Sequence, residues 1–238
     1  MFHTIFYLPL YNALALLSSI LPGGDIGLSI IILTIIFRAF LFPLYQKSLV
    51  TQLKMKKIEP EIAAIRVKYK DQPQEQTKHL MEIYKHNQIN PFASILALLI
   101  QLPIILALFY VFRTDFVFVK TELYSFITAP DKINLIFLGF INLAQKNLWL
   151  SLLVGVSQFI QLKISLPASA PKKSGAEPSF KDDFARSMNM QMRYVMPVFI
   201  AFVAYSLSSA ISLYWIVGNI FSIVQELYVR KAVKVKYS

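Results

Sequence analysis

The 238-residue sequence contains no cysteine, and this absence excludes disulfides, thiolate metal sites and cysteine nucleophiles. Only seven glycines are present, and none belongs to a Gly-x-x-x-x-Gly-Lys phosphate loop of the kind that nucleotide-driven motors use. The histidines His3, His79 and His86 lie outside the clear apolar segments, which argues against an intramembrane histidine-dependent hydrolase or a histidine-ligated metal site. The sequence therefore predicts no cofactor, no metal and no catalytic residue.

Charged residues are also scarce. They make up 16% of the chain, whereas hydrophobic residues make up 56%. Average soluble domains carry about 25% charged residues, so this chain has too little polar surface for a soluble globule. Its apolar sequence is sufficient for several membrane spans. The predicted fold class is an all-α polytopic membrane protein.

The net charge of +11 is distributed unevenly along the chain. The polar segment 46–90 carries nine Lys or Arg and five acidic residues, and the positive-inside rule assigns it to the cytoplasm. The segments interpreted as cytoplasmic and the adjoining ends of the spans carry nineteen basic and nine acidic residues together, whereas the outer segments carry four of each. Topology therefore explains the basic charge, DNA binding is not expected, and contact with ribosomal RNA is a secondary option.

Alternating apolar and polar segments define the predicted domains. Residues 1–25 form an N-terminal interfacial helix, with a short extra span as the alternative, and residues 26–45 form the first span. Residues 46–90 form a helical hairpin, because apolar residues recur there at helical spacing. Four further spans lie within 91–229. An outer loop at 113–147 and a cytoplasmic loop at 167–191 connect spans within this range, and a basic cytoplasmic tail follows at 230–238.

Arg38 interrupts the apolar run that begins at Gly27. At 1.5 Å per residue it lies roughly 17 Å along the helix, past the middle of a hydrocarbon core about 30 Å thick. An arginine at such a depth costs about 2.5–3.5 kcal/mol on insertion scales. Two interpretations remain open: the side chain snorkels to the inner headgroups, or it lines a wet cavity.

Other polar residues lie within the predicted spans. Helical spacing places some of them on a common face of the last span, others on a common face of the third span, and one in the second span. Taken singly, each is best explained by interhelical hydrogen bonding. Taken together with Arg38, they could surround a hydrated cleft. These candidates are Trp215, Asn219 and Ser222, then Gln158 and Gln161, and then Gln101.

Five motifs in a fixed order resemble those of the YidC-type membrane protein insertases, a family with relatives in mitochondria and chloroplasts. The resemblance covers roughly residues 5 to 230. The motifs are Ile-Ile-Phe-Arg38-Ala-Phe-Leu-Phe-Pro43-Leu, Lys54-Met-Lys-Lys-Ile-Glu-Pro60-Glu-Ile, Ile83-Tyr-Lys-His-Asn-Gln-Ile-Asn90-Pro91, Leu99-Ile-Gln101-Leu-Pro103-Ile, and Leu213-Tyr-Trp-Ile-Val-Gly-Asn219 followed by Gln225.

The resemblance implies a membrane insertase and chaperone with a five-span core and a groove that is open to the cytoplasm and lipid but closed to the outside. Arg38 would attract acidic outer segments of an incoming substrate. The hairpin, at about residues 48–89, would receive the nascent chain or its targeting partners. Its candidate residues are Lys56, Glu61, Arg66 and Tyr84.

The expected setting is the bacterial cell membrane, with nascent membrane proteins and the lipid bilayer as partners. The ribosome and the Sec translocon are further candidate partners, a monomer is expected to suffice, and no covalent chemistry is expected. A small-solute transporter or channel with the same polar interior is the alternative function. A third interpretation, a structural scaffold, would make Arg38 dispensable.

Overall fold

The computed structural model describes residues 1–90, 93–113, 116, 118–165 and 187–237, without the side chains of 93–98, 100, 101 and 233–237. Most of the predicted loop at 167–191 therefore lies outside the described residues. The described chain is almost entirely helical, which confirms the all-α class. Its α-helices are α1 Leu8–Ile20, α2 Ile26–Phe40, α3 Phe42–Lys57, α4 Glu59–Lys68, α5 Pro73–His86, α6 Ala93–Arg113, α7 Leu148–Ser165, α8 Met196–Ser206 and α9 Ser209–Tyr237.

The chain divides into two compact units. The first unit contains Met1–Phe40 and Pro103–Val224, and the second contains Leu41–Leu102 and Gln225–Ser238. Helices α6 and α9 therefore each contribute to both units. Each unit has its own internal packing, which we describe separately.

In the first unit, α1 packs against α2, and α7 packs against α8. Two fully buried side chains of α1 also bind the segment that follows α6. The hydroxyl of Tyr11 accepts a hydrogen bond from the Val119 amide at 2.5 Å. The Asn12 side chain donates to the Glu122 carbonyl at 2.9 Å and accepts from the Tyr124 amide at 2.7 Å. Asn12 thus forms hydrogen bonds with a backbone carbonyl and a backbone amide of a loop, whereas in the sequence it only interrupts an apolar helix.

A two-stranded antiparallel hairpin lies within the predicted outer loop, where no strand is expected from the sequence. Its strands are β1, Ile136–Phe137, and β2, Ile141–Asn142, with Phe137 opposite Ile141. The Phe137 ring lies so close to Gly27 that a Cβ there would come within 2.1 Å of it. The start of α2 therefore requires glycine, and Asp25 caps this start by accepting the Leu28 amide at 3.0 Å.

The predicted first span, 26–45, is not one continuous helix. Helix α2 ends at Phe40 and α3 begins at Phe42, while the amides of Leu44 and Tyr45 both donate to the Leu41 carbonyl at 3.1 Å. The physical cause is Pro43, which has no amide hydrogen to donate to the preceding turn and whose ring clashes with that turn. The helix of the apolar run is thus broken at Leu41, three residues after Arg38, and the crossing of the membrane by 26–45 stays a prediction.

In the second unit, α4 and α5 pack against each other as a helical hairpin. Its core consists of Ile58, Ile62 and Ile89, each no more than 6% exposed. The partly buried residues that pack against this core are Met55, Leu80, Ile83 and Tyr84. Periodicity in the sequence therefore identifies the two helices that meet, and the cytoplasmic location of the hairpin stays a prediction.

Within the second unit, the second half of α9 contacts the start of α3. The buried Gln225 side chain donates to the Phe42 carbonyl at 3.0 Å. One residue later, the buried Glu226 carboxylate pairs with Arg230 at 2.7 Å. These contacts explain how α9 tolerates an acidic residue among apolar neighbours, since the charge is neutralised one turn away.

Among the described residues, two helices are individually long and apolar enough to cross a membrane: α7, and α9 over Ser209–Ala232. Helices α2 and α3 would supply a third span if the bent pair counts as one. The apolar helix Leu102–Arg113 within α6 is shorter, and α8 is preceded by the π-helical stretch Gln191–Val195, which interrupts its α-helical run. These helices give the protein its membrane-spanning character.

Candidate functional site

Arg38 is half-buried in the last turn of α2. Its Nη1 donates a hydrogen bond to the Ser222 hydroxyl on α9 at 3.2 Å. The same hydroxyl donates to the Gly218 carbonyl at 2.8 Å, so it accepts from the guanidinium while being oriented by the helix. A cation in the last turn of a helix is also favoured by the helix dipole, by about 0.3–1 kcal/mol. Arg38 therefore has a defined position beside α9.

Gly218 makes this approach of Arg38 to α9 sterically feasible. A Cβ at this position would lie 2.9 Å from Arg38 Nη2 and 3.5 Å from Cζ. Gly218 is thus a further candidate site residue, which sequence reasoning missed. The signal was present, because Gly218 is one turn before Ser222 in the motif that ends at Asn219, but a glycine carries no chemistry of its own.

Asn219 connects α9 to α7. It is 7% exposed, and its Nδ2 donates to the Ser157 hydroxyl at 3.0 Å. Ser157 in turn donates to the Val154 carbonyl at 3.0 Å. The face of α9 that holds Arg38 through Ser222 therefore also holds α7 through Asn219. Ser157 is a second residue that the sequence did not single out.

The remaining predicted groove residues take different positions. Gln158, which is half-buried, donates to Gln161 at 3.1 Å, and Gln161 donates to Ser165 at 3.1 Å, so a chain of hydrogen bonds runs along α7. This bonding fits their predicted common face. Trp215 is half-buried on α9, one turn before Asn219. Gln101 belongs to α6, but its side chain lies outside the described residues.

The hairpin candidates separate into two kinds. Lys56, Glu61 and Arg66 are exposed, so their charges are available to a partner. Tyr84 instead packs against the apolar core around Ile62. Tyr84 is therefore part of the packing of the hairpin, and a contact with a partner remains a prediction for all four residues.

The chemistry that these groups offer is binding. A fixed guanidinium is a permanent cation that matches carboxylate geometry, and the neighbouring hydroxyl and amide groups can solvate a polar chain. Across the part of the chain that the structure describes, no group of three or more histidine and acidic side chains is placed to hold a metal ion. The site is therefore suited to receive an anionic or polar segment.

Comparison with known proteins places this arrangement in a family. The family model described as 60Kd inner membrane protein matches residues 17–236. A protein of Alkalihalophilus pseudofirmus is 33% identical over 220 residues, which cover 87% of this chain and 74% of that protein. A protein of Oceanobacillus iheyensis is 30% identical over 240 residues, covering 98% and 85% respectively.

A third relative, from Pelobacter propionicus, is 33% identical over 213 residues. The match covers 88% of this chain but only 36% of that protein, so the chain spans about a third of its length. All three relatives are named membrane protein insertase YidC. With its helical membrane fold and a family match over nearly its whole length, the chain belongs to the 60Kd inner membrane protein family of YidC-type proteins.

Proposed function

We propose that the protein is a membrane protein insertase and chaperone that moves short hydrophilic segments of nascent membrane proteins across part of the bilayer. The observation that carries the proposal is the placement of Arg38 against α9. Ser222 accepts a hydrogen bond from Arg38, and Gly218 has no side chain that would block its approach. Family membership supports the same activity.

The proposed mechanism is electrostatic and hydrophobic. A half-buried guanidinium lowers the cost of bringing a short acidic segment into an apolar region, because opposite charges attract more strongly where water is partly excluded. The polar groups of α7 and α9 would replace part of the water lost by the segment. The hydrophobic segment of the substrate then partitions into lipid and supplies the driving force. This scheme uses no nucleotide and no covalent step.

The hairpin formed by α4 and α5 is the proposed receiving arm on the cytoplasmic side. Its exposed charged residues Lys56, Glu61 and Arg66 would contact nascent chains or delivery partners, among which the ribosome and the Sec translocon are candidates. In this arrangement the protein is a multi-pass protein of the bacterial cell membrane with a cytoplasmic C-terminus and a five-span core. Transport of a small solute does not require a charged helical hairpin of this kind, and for this reason we prefer the insertase.

The experiment is reconstitution of the purified chain into proteoliposomes with a single-span substrate that carries a short acidic N-terminal tail. Protease protection of the tail measures insertion. We expect wild type and Arg113→Ala to insert the substrate, since Arg113 is an exposed arginine at the end of α6. Arg38→Ala should insert much less and Arg38→Lys an intermediate amount. Equal insertion by the wild type and both Arg38 variants would contradict the role of Arg38, and no insertion by the folded wild type would contradict the insertase.

A further inference from the structure

The tip of the β-hairpin in the first unit exposes large apolar side chains. Leu138 and Phe140, on either side of Gly139, are 66% and 76% exposed, whereas Phe137 before them is buried against Gly27. The hairpin thus has one apolar residue that anchors it to α2 and two that point away from the protein. Exposed apolar clusters of this kind usually mark a contact surface.

The backbone at the tip strengthens this interpretation. Leu138 and Gly139 are consecutive residues with positive φ values of 55° and 81°. Gly, Asn and Asp are the residues that favour such tight hairpin turns, and a leucine there is strained. Since Leu138 is 66% exposed, burial of its side chain within the turn does not account for a leucine at this position.

The β-hairpin lies beside the first residues of three helices. The segment next to it accepts hydrogen bonds from the first residues of α9, from the Ala210 amide to the Leu143 carbonyl at 3.1 Å and from the Ser209 amide to the Gln145 carbonyl at 2.8 Å. Phe137 lies against the start of α2, and α7 begins at Leu148. The hairpin therefore lies at the end of the unit where three helices begin, which is where apolar helices meet the membrane surface.

The exposed apolar surface of α7 begins at this same end. Trp149 is 75% exposed, and Leu152, Leu153 and Val156 continue the exposed face along the helix. Because α7 is a candidate membrane span, lipid is the solvent for this face. Trp149 has the residue type that is enriched at membrane interfaces, and the exposed Lys146 just before α7 can pair with lipid phosphates. Leu138 and Phe140 lie close in sequence to this boundary.

We propose that the hairpin tip, Leu138 to Phe140, is a lipid-binding wedge that inserts into the headgroup region of the leaflet at the start of α7. The wedge would fix the depth of the first unit in the bilayer, with Trp149 and Lys146 at the same boundary. This inference goes beyond the insertase activity and depends only on the membrane location of the chain.

The absence of cysteine makes the test direct, because each single-cysteine variant of the full chain carries one nitroxide label. The labelled positions are Leu138→Cys and Phe140→Cys at the tip. Two reference positions calibrate them: Leu152→Cys on the exposed face of α7 for lipid, and Gln72→Cys in the exposed turn between α4 and α5 for water. All four are exposed, so labelling should leave the helical circular dichroism spectrum unchanged.

Each variant is reconstituted into phosphatidylcholine vesicles containing phosphatidylglycerol, and collision rates with oxygen and with a water-soluble nickel chelate are measured by electron paramagnetic resonance. We expect the oxygen-to-nickel ratio at both tip positions to be closer to that of Leu152 than to that of Gln72, as for interfacial segments that are buried roughly 5–10 Å into the boundary between headgroups and acyl chains. Ratios nearer to that of Gln72 would overturn the proposal, because they would show that the tip lies in water.

Discussion

The two units handle polar and apolar residues in opposite ways. In the first unit, Arg38 and Asn219 lie among apolar helices, and each donates a hydrogen bond to a serine on another helix, Ser222 and Ser157 respectively. In the hairpin of the second unit, the charged residues are exposed and three isoleucines form the core. Substitution of one polar side chain should therefore matter in the first unit, whereas substitution of one apolar side chain should matter in the second.

The largest effect on stability is expected in the hairpin core. Ile62→Ala removes a side chain that is 6% exposed and should cost about 2–5 kcal/mol of hairpin stability, through lost burial and a residual cavity. Hydrogen exchange of the α4 and α5 amides measures this cost. Val67 on the same helix is 79% exposed and offers the matched control, because Val67→Ala should change protection by no more than about 0.5 kcal/mol. Similar losses in both variants would mean that the hairpin has no apolar core of its own.

The next effect concerns the position of Arg38. In Gly218→Ala, the added Cβ would meet the guanidinium at 2.9 Å, so the flexible end of Arg38 must move while the helix can remain. We expect insertion of an acidic-tailed substrate to fall roughly tenfold, equivalent to about 1.4 kcal/mol. Protease-protection rates in proteoliposomes measure it.

The control for Gly218→Ala is Gly155→Ala, where the new Cβ would meet Ala201 at 3.0 Å between α7 and α8. This variant should loosen helix packing without changing the preference for acidic over neutral tails. If both glycine variants lower insertion of acidic and neutral tails equally, Gly218 acts through packing and not through Arg38.

The smallest effect is expected for the hydrogen bond between Asn219 and Ser157. Interhelical hydrogen bonds in membranes contribute about 0.6 kcal/mol on average, because the unfolded chain also finds polar partners there. A double-mutant cycle with Asn219→Ala and Ser157→Ala, followed by unfolding in a detergent titration, should give a coupling energy of this size. Additive effects of the two substitutions would show that the bond contributes nothing to holding α9 against α7.

Local patterns in the sequence predict a large part of this fold. The recurrence of Ile58 and Ile62 at helical spacing identifies the hairpin face that is buried. The spacing of Gln158, Gln161 and Ser165 identifies a polar face of α7 that is bonded along its length. The depth of Arg38 in an apolar run makes it a candidate site residue before any contact is known. These features depend on neighbours within a turn or two of helix, which a sequence displays directly.

Features that depend on distant parts of the chain could not be predicted in this way. The serine that binds Asn219 is 62 positions away, and the loop that binds Asn12 is 110 positions away. Gly218 matters only because Arg38 approaches it from another helix. The β-hairpin at 136–142 is too short to show an alternating pattern, and its buried Phe137 is explained only by the gap at Gly27.

The most direct test of the central claim is to combine Arg38 variants with changes in the charge of the substrate tail. Wild type and Arg38→Gln are each reconstituted with a single-span substrate whose N-terminal tail carries either acidic residues or the corresponding amides, and the four insertion rates are compared. We predict that wild type inserts the acidic tail faster than the amide tail and that this advantage disappears in Arg38→Gln. If the ratio of acidic to amide insertion is the same for both proteins, Arg38 does not recognise the charge of the substrate, and the account of the site is wrong.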